Sequence, residues 1–147
     1  MRAIITIPVA LLLLAGAVRS TASERAASTV SAQAASAAPA EAPGGIWKPL
    51  GAYRVTAYSA CVKCCGKSDG ITADGTYAPG FGGWLASAPK EIPFGARVWI
   101  SGVGAAEVHD RGGAIKGRRL ELFFRKYNDA LQWGVQRRQV WVWVPSN

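Results

Sequence analysis

The run His109-Asp110-Arg111-Gly112-Gly113-Ala114-Ile115-Lys116-Gly117-Arg118-Arg119-Leu120-Glu121-Leu122-Phe123-Phe124 concentrates ionisable chemistry. It holds the only histidine, two of the nine acidic residues, three glycines and four cations. Asp110 closes one apolar run and Glu121 sits inside the next, eleven residues on, so a turn between them can bring both carboxylates to one end of a barrel. Paired carboxylates suit cleavage of a glycosidic bond, one protonating the leaving oxygen while charge builds on the sugar ring. Gly112 and Gly113 remove side chains where a bulky ligand would approach the backbone. The competing reading is ionic. Asp110 and Glu121 would pair with Arg111, Lys116, Arg118 or Arg119, which would depress a carboxyl pKa, whereas burial in a cleft would raise it.

All three cysteines fall in one segment, as Cys61-x-x-Cys64-Cys65. In an exported chain these residues are expected to form a disulfide, with one thiol left over. Zinc held by the three thiols and His109 is the alternative in ligand type, but the compact spacing is no familiar finger pattern and His109 has no local partner. No metal and no cofactor are expected. A thioredoxin-like role would need a βαβ unit, and none is legible.

These groups must be positioned by short strands. Tyr53–Tyr58, Trp84–Ser87, Arg97–Ser101, Ala105–His109, Leu120–Phe124 and Gln139–Val144 are rich in β-branched and aromatic residues and are separated by Gly-, Pro- and Asp-containing turns. One helix is expected over Tyr127–Trp133, with Gly134 as its stop. Six short strands and one small helix predict a mainly β fold closed into a barrel, which removes exposed edges. Trp141-Val142-Trp143-Val144 is apolar on both faces. It reads as a central barrel strand, with stacking of exposed Trp rings on sugars as the alternative.

Residues 1–22 read as a signal peptide: Arg2, a nearly unbroken apolar run from Ala3 to Val18, then small residues. Residues 23–45 form an Ala/Ser/Pro-rich stretch with little to bury, expected to be a disordered linker. Residues 46–147 are expected to be one folded domain. That domain carries fourteen Lys and Arg against seven Asp and Glu. A basic exported domain favours an anionic partner in the periplasm, cell envelope or medium. The export signal argues against nucleic acid. Membrane contact is expected only through an uncleaved signal or envelope association, and a monomer suffices.

The segment Asp110-Arg111-Gly112-Gly113-Ala114-Ile115-Lys116-Gly117, followed by Leu120-Glu121-Leu122, resembles the signature of the three-aspartate (3D) domain found in MltA-type murein lytic transglycosylases and in related small cell-wall proteins. Thr56-Ala57-Tyr58, Gly70 to Gly75 and Pro89-Lys90-Glu91-Ile92-Pro93-Phe94-Gly95 extend the likeness, which spans Tyr53 to Val144. The resemblance implies a six-stranded double-psi β-barrel acting on peptidoglycan glycan strands. It implies cleavage between N-acetylmuramic acid and N-acetylglucosamine, with closure of a 1,6-anhydro ring. Carried over by position, Asp110 would be the acid/base and Glu121 would orient substrate or stabilise charge. Thr56, Tyr58, Thr72, Gly112, Gly113 and Lys116 would bind substrate. Three positions depart from the family pattern: Ala88 stands where the first aspartate is expected, Glu121 replaces an aspartate, and Arg111 replaces a small residue. A peptidoglycan-binding module that does not cut is therefore the alternative.

Overall fold

The computed structural model describes residues 39–40 and 43–146. The expected signal peptide and most of the expected linker lie outside the described residues. Six strands follow one another: β1 (Gly45–Tyr58), β2 (Trp84–Ser87), β3 (Arg97–Ile100), β4 (Gly104–Asp110), β5 (Arg119–Phe123) and β6 (Gln136–Pro145). Two helices interrupt them, the single turn α1 (Val62–Cys65) and α2 (Tyr127–Trp133). The strands close into a barrel in the order β1-β5-β2-β4-β3-β6. Pairs β1–β5 and β2–β4 are parallel; the other four pairs are antiparallel. All six expected strands are present, and the barrel is closed as expected.

Alternation within the strands builds the interior. Val55, Ala86, Val98, Ile100, Val108, Leu120, Leu122 and Val140 point inward and are almost wholly buried. Each buried Leu or Ile contributes roughly 1.5–3 kcal/mol relative to exposure, so Leu120 and Leu122 fix which face of β5 looks outward. That outward face carries Arg119 and Glu121.

The first strand departs from the sequence expectation, which began it at Tyr53 and placed Gly45 in the linker. It starts at Gly45 because Trp47 pairs with Trp143, their rings 5.2 Å apart edge to face. Pro49 lacks an N–H, and the register shifts between Pro49 and Gly51, where Gly51 takes a φ of 89°. Trp141 and Trp143 lie half-buried on the outer face of β6, between β1 and β3. Helix α2 ends at Gly134, with φ 63°, and Trp133 donates its ring N–H to the Val55 carbonyl at 3.4 Å. Among the described residues no helix is long and apolar enough to cross a membrane.

Candidate functional site

Strand β2 lies between β4 and β5, and its last residue faces both carboxylate positions. Ser87 is the register partner of Asp110 on one side and of Glu121 on the other. A register shift between Ala86 and Ser87 is what sets Asp110, and not His109, opposite Ser87. On the far side of β5, Thr56 of β1 is the partner of Glu121. A row of four polar side chains thus crosses four strands. Above it the chain from Ala60 to Ala73 completes a cleft of about 370 Å³, whose walls include Tyr58, Thr72, Ser87, Asp110, Gly112, Gly113 and Glu121.

The two carboxylates are held differently. Asp110 Oδ1 accepts two backbone N–H groups, from Ala73 at 3.0 Å and Arg111 at 2.8 Å. Glu121 is half-buried; burial raises its carboxyl above the usual carboxylate value, the hydrogen bond from Thr56 Oγ1 to Oε1 at 3.3 Å opposes that, and the charge of Asp110 adds to it. No Lys or Arg makes an ion pair with either group among the described residues. The ionic alternative is thereby removed. Arg111 turns away: its guanidinium donates to the carbonyls of Ala88 at 3.1 Å and Ile92 at 2.7 Å and lies 4.0 Å over the Phe94 ring.

Two hydroxyls in this cleft are buried and have no hydrogen-bond partner, Tyr58 Oη and Ser87 Oγ. Burial, the Asp110 charge and the approach of the phenol O–H to the Asp110 carboxylate, just beyond hydrogen-bond distance, hold Tyr58 protonated far above its ordinary value; Ser87 Oγ is the hydroxyl with no such neighbour. Ser87 carries no motif signal and sequence reasoning missed it. It stands beside Ala88, where the aspartate was sought, but Ala88 is 1% exposed and packs into the barrel core.

The Gly-rich turn is tight on one side and open on the other. A Cβ on Gly112 would meet Ile115 Cγ1 at 2.7 Å, whereas nothing lies within 4 Å of one on Gly113. Thr72 lines the cleft but spends its hydroxyl on Asp74 Oδ1 at 2.8 Å and Thr76 O at 3.0 Å. Lys116 stands exposed on the turn and does not reach the cleft.

The expected disulfide is not formed in this structure. Cys61, Cys64 and Cys65 are all free thiols. They sit on and just before the single turn α1, and Ser59 engages each sulfur. Ser59 Oγ donates to Cys61 Sγ at 3.4 Å and lies 3.6 Å from Cys64 Sγ, while Cys65 Sγ donates to Ser59 O at 3.2 Å. His109 is not with them. Its Nδ1 lies 2.7 Å from Asp74 Oδ2 and its Nε2 lies 3.3 Å from Glu107 Oε2. Among the described residues no three His, Cys, Asp or Glu converge as a metal-ligand set.

With this geometry in place, sequence comparison adds a likeness. Residues 84–145 match the family model of the 3D domain. That stretch is similar to the 3D domain. The match takes in Ser87, Asp110, the Gly-rich turn and Glu121, so most of the cleft floor lies within the matched stretch. A 52-residue stretch is 42% identical to the cell wall-binding protein YocH of Bacillus subtilis, covering 35% of this chain and 18% of that protein. A 50-residue stretch is 40% identical to the putative cell wall shaping protein YabE of the same organism, covering 34% of this chain and 12% of that one. The chain thus spans less than a fifth of either relative.

Proposed function

We propose that the protein is exported to the cell wall, where its cleft binds a peptidoglycan glycan strand and cleaves it as a lytic transglycosylase. The observation that carries the reading is the pair of buried, unpartnered hydroxyls beside the two carboxylates. Buried polar groups are normally satisfied, so Tyr58 Oη and Ser87 Oγ fit a polyhydroxylated ligand that completes their bonds. The two similar proteins, the cell wall-binding protein YocH and the putative cell wall shaping protein YabE, support the same substrate class.

The roles divide by environment, in the reverse of the order that position alone suggested. Glu121, raised by burial, is the proton donor to the glycosidic oxygen. As the C–O bond breaks, positive charge on the muramoyl ring is stabilised by Asp110, which two backbone N–H groups fix in place. Glu121, now a carboxylate, takes the proton of the muramoyl 6-hydroxyl while that oxygen closes on C1. No water is consumed and a 1,6-anhydro end is formed. Thr56, bonded to Glu121, orients the donor; Tyr58, Gly112 and Gly113 line the path of the strand.

The test is digestion of purified sacculi followed by mass spectrometry. The expected products are 1,6-anhydromuropeptides, absent with Glu121→Gln; reducing ends from hydrolysis, or no product, would overturn the transglycosylase assignment. A second reading, binding without cleavage, is favoured by Ala88, a core alanine that supplies no carboxylate where the resemblance implies an aspartate. Saturable sedimentation with sacculi and no product would select it.

A further inference from the structure

The outward face of β1 and β5 does not end at the cleft. One pleat back from the Thr56–Glu121 pair, Arg54 of β1 is in register with Arg119 of β5 on one side and with Arg137 of β6 on the other. Three arginines therefore stand side by side across three adjacent strands, on the face that carries Glu121. Strands lie about 4.8 Å apart and two residues advance about 6.6 Å, so the row begins about one sugar's length from Glu121. All three side chains are exposed, and none has an ion-pair partner among the described residues. Arg118 adds a fourth cation beside the row, its Nη1 lying where a Cβ on Gly51 would come within 2.9 Å. Arg119 also donates to the Ala114 carbonyl at 3.3 Å, which ties the row to the Gly-rich turn forming the cleft wall.

Like charges directly opposite one another on a sheet destabilise it. Nothing in the barrel offsets this: Glu121, the next acidic residue along the strand, forms no ion pair with the row. Guanidinium groups are suited to bidentate binding of carboxylates, and a row of them matches a chain of anions, not a single one. We infer that Arg119, Arg54 and Arg137 form an anion subsite continuous with the cleft, which takes the carboxylates of peptide side chains on the bound glycan. This rests on the glycan-strand reading above and specifies its substrate: strands bearing peptides with free carboxyl groups, in preference to bare or amidated ones.

The test compares binding of the full chain to three preparations freed of phosphodiester polymers: sacculi with free carboxyls, the same sacculi with carboxyls amidated, and glycan strands stripped of peptide. The double variant R54Q/R119Q is run beside the wild type after its melting temperature is checked. Both side chains are exposed, so the fold is retained. Amidation is expected to weaken wild-type binding roughly tenfold or more, the scale of one lost charge-assisted hydrogen bond. The double variant is expected to bind free and amidated sacculi alike, at the wild type's amidated level. Equal wild-type affinity for free and amidated sacculi overturns the subsite, as does a double variant that keeps the preference. Binding only to sacculi that retain their phosphodiester polymers also overturns it, by assigning the row to a different polyanion. Peptide-free strands separate the two readings: if both proteins retain them, the cleft reading stands whichever way the amidation arm falls.

Discussion

His109 Nδ1 meets Asp74 Oδ2 at 2.7 Å, and this contact fastens the loop that orients Asp110. Asp74 belongs to the segment above the cleft. Its other oxygen accepts Thr72 Oγ1 at 2.8 Å and the Thr76 N–H at 3.0 Å, and the neighbouring Ala73 N–H is one of the two that hold Asp110. The only histidine is therefore one step removed from the reaction. It pins the loop whose backbone pins a carboxylate.

This clasp predicts a pH-dependent stability. Burial disfavours the charged imidazole, but hydrogen bonds and charge from Asp74 and Glu107 outweigh it, so the His109 pKa lies above its ordinary 6.5. Burial likewise opposes the Asp74 anion, and hydrogen bonds from His109, Thr72 and Thr76 outweigh it, taking its pKa well below the usual range. A raised histidine stabilises the fold fully below 6.5 and loses that contribution as pH climbs through its folded value; a depressed aspartate contributes above about 4 and loses it only in strong acid. The melting temperature should therefore be highest between roughly pH 4 and 6.5 and fall toward pH 8.5. His109→Ala should lower stability at pH 6 by about 1–3 kcal/mol and flatten that decline. An unchanged decline in the variant would remove the clasp as its cause.

The two carboxylates should fail differently when neutralised. Glu121→Gln removes the proton donor and should reduce anhydro-product formation by roughly 10²–10⁴-fold. Asp110→Asn keeps an acceptor for the Ala73 and Arg111 N–H groups, so the fold survives while the anion is lost. Its rate should also drop, but with sedimentation onto sacculi largely intact. A Glu121→Gln protein as active as wild type would return the donor role to Asp110.

Thr56 sets the working range of Glu121. Its hydroxyl hydrogen bond favours the carboxylate, so Thr56→Val should raise the Glu121 pKa further. Proton donation requires the protonated form, so the alkaline limb of the pH–rate profile should move to higher pH. A limb that stays in place would mean that another group controls it.

The strand positions were legible because Val-, Ile- and Trp-rich runs are cut by turn residues, and Tyr127–Trp133 because Gly134 ends it. The location of Asp110 and Glu121 at one cleft was legible from the Gly-rich turn between them. The start of β1 was not, since Gly45 read as linker and Pro49 argues against a strand until Trp143 supplies a partner across the ladder. Arg111 was misread as a cation beside Asp110, because nothing local announces the carbonyls of Ala88 and Ile92, nineteen and more residues away, that claim it. The contacts of the thiols were not legible, because the sequence does not show that Ser59 lies against all three sulfurs.

Ser87 and Tyr58 give the sharpest separation of stability from function. An unpartnered buried hydroxyl costs desolvation with no compensating bond, so Ser87→Ala should leave stability unchanged or raise it by up to about 1–2 kcal/mol. Tyr58→Phe should behave likewise, since its ring keeps the edge-to-face contact with Phe123 at 5.5 Å. If those hydroxyls wait for substrate, both variants should bind glycan several-fold more weakly while melting no lower than wild type. A residue kept only for packing gives the opposite pattern, with melting temperature lost and affinity kept. Measuring both quantities on the same two proteins decides between a cleft built for a ligand and an accident of barrel closure.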